Sequence, residues 1–245
     1  VYQPQVLDGQ TPVGVEALIR WKNGELGQVP PDRFIRVSEG NGMIIDIGHF
    51  VIERALFDLS DINRHHYCKN LHLSINVSIR QLQENGFTER LSASLAKHEF
   101  PANQLTLEIT EGIFIDDLQY LIPVLYKIRA LGVKLSMDDF GTGYSSLSLL
   151  KQLPVDELKI DKSFTDNITT RNEDRLMVLN IIDIAQNLGI KVVAEGIEQQ
   201  EQSALLLELG CNLQQGYFYC GPVDLDRLVE YCEQSNWRFD KVAQK

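Results

Sequence analysis

Apolar and polar positions along this chain follow two periods in turn. Residues 1–7, 13–21, 71–77, 105–110, 133–137, 157–160, 190–194 and 213–219 form short apolar or alternating runs, the signature of strands. Between most of them, apolar residues recur near every 3.6 positions. Residues 44–63 carry Ile45, Phe50, Val51, Ala55, Leu56 and Leu59 at that spacing. Residues 121–131 and 176–188 repeat the pattern, with Gly132 and Gly189 where glycines end helices. Strands alternating with helices predict an α/β fold, a TIM-type (β/α)8 barrel. One connection breaks the alternation. Only Asp8-Gly9-Gln10-Thr11-Pro12 separates the first two strands, whereas a parallel crossover needs about a dozen residues or more. These strands must form an antiparallel hairpin, so the prediction is a modified barrel in which strand 1 is antiparallel. The start of strand 1, Tyr2-Gln3-Pro4, then shares a mouth with the C-terminal ends of the other strands.

Nothing resembling a linker, a low-complexity tract or an internal repeat interrupts residues 1–245, and β/α barrels commonly take about 250 residues as one unit. We therefore expect a single domain over 1–245. Its opening at Val1, directly in a strand, suggests excision from a larger regulatory protein. The composition, 44% hydrophobic and 23% charged, is that of a soluble globular protein and excludes disordered and disulfide-scaffold classes. The net charge of -11 repels polyanions, so no nucleic-acid polymer is expected as a partner; a small nucleotide met by metal ions stays open. Cys68, Cys211, Cys220 and Cys232 make no C-x-x-C pair, and no apolar run approaches the length of a membrane span. A reducing, cytoplasmic setting without membrane contact by this domain is the expectation, although missing upstream segments could tether it to a membrane.

Active sites of β/α barrels lie where strands end. There the chain places Glu16 and Arg20, Asn76, Glu108 and Glu111, Asp138-Asp139, Lys159 and Asp161, Glu195 and Glu198, and Gln215. Side chains two apart share a strand face, which groups Glu16 with Leu18 and Arg20, and Lys159 with Asp161. Taken singly, a glutamate at a strand end reads as a loop salt bridge, Asp138-Asp139 as a helix cap, and Lys159-Ile160-Asp161 as an inward ion pair. Seven consecutive strands agreeing is hard to reconcile with those readings. Carboxylates within about 4–6 Å of one another raise each other's pKa and cannot all ionise unaided. Two divalent cations would resolve this, and a donor set of oxygens and one amide, without His or Cys, suits hard ions such as Mg²⁺ or Mn²⁺. Such a pair is a standard device for phosphodiester cleavage. The histidines (His49, His65, His66, His72, His98) show no metal-binding spacing and read as surface or core residues, and Gly141-Thr142-Gly143 lacks the lysine of a phosphate loop.

The motifs together resemble the EAL domain family, the cyclic di-GMP-specific phosphodiesterases of bacterial signalling. Glu16-Ala17-Leu18-Ile19-Arg20-Trp21 looks like its naming signature, and Asn76-Val77-Ser78-Ile79-Arg80-Gln81 and Glu108-Ile109-Thr110-Glu111 follow in the family's order. Asp138-Asp139-Phe140-Gly141-Thr142-Gly143-Tyr144-Ser145-Ser146-Leu147, Leu158-Lys159-Ile160-Asp161, Ala194-Glu195-Gly196-Ile197-Glu198 and Gln215-Gly216-Tyr217 complete the set. The resemblance implies that Glu16, Asn76, Glu108 and Asp138 hold a first metal. Asp138, Asp139 and Glu195 would hold a second, with Asp161 in or beside that shell. It makes Lys159 the residue that orients the attacking water and Glu195 a competing general base, with Glu16 the third catalytic residue. Arg20 would grip a substrate phosphate, Leu18, Gln3 and Gln215 would line the substrate site, and Glu111 would anchor residues 140–146. Glu198 would support Glu195 in the same way. Gly221 before Pro222 departs from the basic residue many members carry there, which puts substrate contacts at that point in doubt but not the metals.

The implied function is metal-dependent hydrolysis of cyclic di-GMP to linear pGpG with two Mg²⁺ or Mn²⁺ ions. The alternative is a catalytically inactive cyclic di-GMP receptor; degenerate members of that kind usually lose a metal ligand or disturb the glycine loop, and this chain shows neither loss. Family expectation adds a homodimer and an upstream sensory or diguanylate-cyclase domain.

Overall fold

The computed structural model describes residues 1–64, 70–111, 118–143 and 150–234. The barrel strands are β1 (Tyr2–Leu7), β2 (Thr11–Ala17), β5 (His72–Asn76), β6 (Leu105–Thr110), β7 (Lys134–Phe140), β8 (Glu157–Ile160), β9 (Lys191–Ala194) and β10 (Leu213–Gln215). A separate hairpin, β3 (Trp21–Asn23) with β4 (Gly27–Val29), leaves the barrel after β2. The helices are α1 (Pro31–Asn41), α2 (Ile44–Arg64), α3 (Ile79–Leu82), α4 (Phe87–Lys97), α5 (Leu118–Ala130), α6 (Lys162–Thr165), α7 (Asn172–Leu188), α8 (Gln200–Glu208) and α9 (Leu225–Gln234). Among the described residues no helix is long and apolar enough to cross a membrane.

The sheet closes in the order β1-β10-β9-β8-β7-β6-β5-β2. As the short first connection requires, β1 runs antiparallel to both of its neighbours, β2 and β10, while the other pairs are parallel. Asp8 and Gly9 both take positive φ, 52° and 71°, and Gln10 N–H closes on Leu7 O at 3.1 Å. This is the primed turn whose twist matches the flanking strands. Register then sets Gln3 opposite Glu16 at the mouth.

Alternation along each strand sorts the layers. Val15, Leu73, Ile75, Leu107, Leu135, Met137, Leu158 and Ile160 point outward, and with Leu56, Leu59, Leu91, Ile128, Ile181 and Leu206 of the helices they form the buried apolar core. The opposite faces line the lumen, where Gln5, Glu16, Ser74, Glu108, Ser136 and Lys159 are all buried. The usual branched apolar filling is thus replaced by polar side chains, which stay buried only if they are hydrogen-bonded or paired.

Two of the expected strands are shorter than their apolar runs. The 13–21 run ends as a barrel strand at Ala17, and Trp21 instead opens the small hairpin, packed edge-on against Phe34 at 5.7 Å. The 213–219 run stops at Gln215, because Gly216 turns the chain against the backbone of Ile197. Tyr144 to Leu147 of the glycine-rich motif, His65, His66 and Cys68 lie outside the described residues.

Candidate active site

Lys159 is the centre of the barrel mouth. It rises from β8 into the lumen, 1% exposed, and its Nζ lies 2.7 Å from Glu195 Oε1 and 2.8 Å from Glu108 Oε2. Asp138 Oδ1 follows at 3.5 Å and Glu16 Oε2 at 3.6 Å. Four carboxylates from β2, β6, β7 and the end of β9 therefore share one ammonium. Burial disfavours charge on Lys159, but Glu108, Glu16, Glu195 and Asp138 outweigh it and hold the ammonium well above its ordinary pKa. The acids fare unequally. Burial and the charge of Glu16 push Glu108 well above the carboxylate range, despite its bond to Lys159. Burial likewise holds Glu195 up to about 8, only partly offset by Lys159. Glu16 ends lowered: burial opposes its charge, but Lys159 and amide donors prevail.

Those donors come from the neighbouring strands. Asn76 Nδ2 donates to Glu16 Oε1 at 2.7 Å, and Gln215 Nε2 donates to Glu16 Oε2 at 2.6 Å and to Gln3 Oε1 at 3.2 Å. Gln5 Nε2 in turn donates to Gln215 Oε1 at 3.1 Å, which fixes the Gln215 amide with its NH₂ facing Glu16. Gln5 was not among the expected site residues. The only signal for it is its position two residues after Gln3, on the same face of β1.

Asp139 departs from strand alternation. The β7–β8 register shifts between Met137 and Phe140, Asp139 takes φ 56°, and its N–H donates to Asp138 Oδ1 at 2.9 Å. The two adjacent aspartates thereby leave the alternation of a regular strand. Burial, then Asp138 and Asp161, raise Asp139 to about 6. Asp161 caps α6, its Oδ1 accepting from Ser163 N–H at 3.0 Å. Glu111 Oε2 accepts from Gly141 N–H at 2.9 Å and Gly143 N–H at 3.2 Å, and a Cβ on Gly143 would come within 2.8 Å of that carboxylate. Glu198 Oε1 accepts from Lys162 Nζ at 2.8 Å rather than touching Glu195.

Gln3, Glu16, Leu18, Arg20, Asn76, Asp138, Lys159, Glu195, Glu198 and Gln215 all line one cleft of about 380 Å³ at the mouth, joined by Lys162, Gly196, Gly216, Tyr217 and Pro222. Glu108 lies beneath it, fully buried, and Asp139, Asp161 and Glu111 stand outside its lining. Among the described residues no group of three His, Cys, Asp or Glu side chains is arranged around one point as a metal cage; the acids gather on Lys159 instead. The donor chemistry nonetheless fits divalent cations. The oxygens are hard, the negative charge exceeds what one ammonium neutralises, and Glu108 Oε1 is buried with no donor among the described residues reaching it.

Comparison with known proteins gives the same family as the motifs. The sequence pattern of the EAL domain matches residues 1–222. The chain is 39% identical over 241 residues to cyclic di-GMP phosphodiesterase NbdA of Pseudomonas aeruginosa, covering 98% of this chain and 30% of that protein. It is 36% identical over 230 residues to the bifunctional diguanylate cyclase/cyclic di-GMP phosphodiesterase MucR of the same organism, covering 93% of this chain and 33% of that protein. The chain thus spans about a third of the length of these curated relatives. A solved structure of PaMucR phosphodiesterase in complex with c-di-GMP superposes with a TM-score of 0.86 at 35% identity, over 93% of this chain and 92% of that one. The EAL domain of Mycobacterium smegmatis DcpA gives 0.80 at 31%, over 96% and 95%. The chain belongs to the EAL domain family.

Proposed function

We propose that this chain binds cyclic di-GMP across the barrel mouth and hydrolyses one phosphodiester bond to give linear pGpG. The observation that carries the reading is the buried Lys159 ammonium held by four carboxylates directly below an open cleft. Water adds across one ester: a new P–O bond forms, the P–O bond to one ribose breaks, and a proton passes to the departing ribose oxygen. Lys159 has donors to orient the water oxygen. Glu195 has the most accessible carboxylate of the four, with its side chain 19% exposed against 12% for Asp138, 7% for Glu16 and 0% for Glu108. It is therefore the carboxylate placed, when ionised, to take the water's proton. Arg20, exposed at the rim with the neighbouring Ile19 carbonyl as its hydrogen-bond partner among the described residues, offers a guanidinium fork to a substrate phosphate. Leu18, Gln3 and Gln215 supply the apolar and amide walls.

Glu16, Asn76, Glu108 and Asp138 would hold one Mg²⁺ or Mn²⁺ and Asp138, Asp139 and Glu195 a second, with Asp161 beside it. Bound there, such ions supply Lewis-acid charge that activates water and stabilises the leaving oxygen. In this reading the chain is the cytoplasmic hydrolytic module of a longer homodimeric protein with an upstream sensory or diguanylate-cyclase domain. The lengths and names of the relatives support the longer protein and its sensory or cyclase domain, oxygen sensor protein DosP of Escherichia coli among them.

The test is product analysis. Cyclic di-GMP incubated with the chain plus Mg²⁺ or Mn²⁺ should yield pGpG by chromatography, chelator should stop it, and Glu16→Ala should abolish it. Substrate recovered intact yet retained on the protein would replace the enzyme with a receptor.

A further inference from the structure

We infer that Gln202 is a positioning residue for Glu195, tying the turn after β9 to the helix after β8; the inference rests on the hydrolytic reading above. Glu195 follows β9 directly, and its N–H is held by Ile160 O of β8 at 3.1 Å. The turn then passes through Gly196 at φ 69°, over which the Lys162 stem lies so closely that a Cβ would fall 2.3 Å from Lys162 Cγ. Gln202, 3% exposed on the first turn of α8, uses its whole amide here. Its Oε1 accepts from Glu198 N–H and Gln199 N–H, both at 2.8 Å. Its Nε2 reaches the other way, to Thr165 O at 3.0 Å and Asp166 O at 3.5 Å. Two N–H donors on one side and two carbonyls on the other leave the amide a single orientation.

Thr165 carries the link to Glu195 itself. Fully buried, its Oγ1 donates to Glu195 O at 2.6 Å. Two side chains thus hold the 195–199 turn against α6, whose preceding strand bears Lys159: Gln202 holds its 198–199 end and the Thr165 backbone, and Thr165 holds its Glu195 end. The Lys159–Glu195 contact of 2.7 Å is fixed by this brace as well as by its own charges. Gln202 touches neither substrate nor reacting atoms, so its effect must pass through the placement of Glu195.

Gln202→Glu separates this tie from ordinary helix capping. A glutamate at the third helical position still accepts from the cap N–H groups, but it presents an acceptor, not a donor, to Thr165 O. In the full chain, Gln202→Glu should lower kcat for cyclic di-GMP about 10–100-fold with KM changed less than about twofold, and weaken Mn²⁺ binding about tenfold, read without substrate by electron paramagnetic resonance of the free ion. Gln202→Leu, which removes tie and cap together, should show the same losses and also melt earlier. Wild-type kcat and Mn²⁺ affinity in Gln202→Glu would reduce the residue to a cap. Losses that only track the folded fraction would make its role structural, and either result overturns the inference. If the wild type fails to cleave cyclic di-GMP while Gln202→Glu still weakens Mn²⁺, the substrate reading falls and the brace stands; a wild type that binds no Mn²⁺ overturns both.

Discussion

A lysine that is 1% exposed is stable only because its charge is shared out. Its contacts with Glu108 and Glu195 are direct, and those with Glu16 and Asp138 lie near 3.5 Å. Lys159→Met keeps the length and apolar stem but removes the cation, leaving carboxylates that repel one another in a buried space. Breaking a buried pair typically costs about 3–5 kcal/mol. Urea unfolding in chelator at neutral pH should show a loss of that order, with turnover abolished. The loss should shrink as pH falls through the carboxylate range, because, against burial, Lys159 is the largest influence holding Glu16 below its ordinary pKa, and protonation of Glu16 relieves what the lysine no longer offsets. A stability deficit independent of pH would mean that packing, not charge, is what Lys159 contributes. The sequence placed Lys159 at a strand end on the Asp161 face. Depth was hidden: period-two spacing tells which face a residue shares, not that four strands lean in on it, nor that Asp161 turns away to cap α6.

At the scale of elements, the floor of the barrel behaves opposite to its mouth. His72 opens β5 beside Lys134 of β7 and Lys191 of β9, and burial, then those two lysines, lower it to about 4. The unfolded histidine, near its ordinary 6.5, takes a proton that the folded one refuses. Between pH 6.5 and 4 the unfolded chain binds more protons, so stability falls with pH across that window; above 6.5 the penalty vanishes. At pH 5 the cost is about 2 kcal/mol at about 1.4 kcal/mol per unit. His72→Gln should lack this cost, so its stability relative to wild type should rise by about that amount from pH 7 to pH 5 in urea melts. Parallel curves would show that the imidazole is not held neutral. The eight strands and the antiparallel β1 were legible because each rests on local pattern: apolar runs, helical spacing, and a connection too short for a crossover. What escaped depends on contacts distant in sequence. Nothing local ends the 213–219 run at Gln215; Gly216 does so because a Cβ there would lie 2.1–2.6 Å from Ile197 backbone atoms. The β3–β4 hairpin hides because Trp21 continues the apolar run of β2 while Asn23 Oδ1 accepts from Glu25 and Leu26 N–H to turn the chain. Gln202 looks like an ordinary helix-start residue, and only the fold shows that Thr165 lies across from it.

For the whole molecule, a net charge of -11 makes any divalent cation stabilising to some degree through screening, so melting with added Mg²⁺ must be read against that background. A site that binds the folded chain at a hundred times its Kd adds about 2.7 kcal/mol. For a chain of this size each kcal/mol moves Tm by roughly 2–4 °C. Mn²⁺ or Mg²⁺ should therefore raise Tm by roughly 5–10 °C over chelator, and potassium chloride at equal ionic strength should not. Glu108→Gln discriminates further. Glu108 is fully buried and penalised by that burial, with one oxygen that no donor among the described residues reaches, so a neutral amide of the same shape should melt at or above wild type in chelator. The same variant should lose most of the metal-induced rise, because it removes a hard anionic donor. Stability and metal affinity would then move in opposite directions from a single substitution, as expected where an acid cluster is maintained for a ligand and costs the free barrel stability. If Glu108→Gln instead melts earlier in chelator and keeps the full metal response, Glu108 serves Lys159 alone and the divalent ions bind elsewhere on the acidic surface.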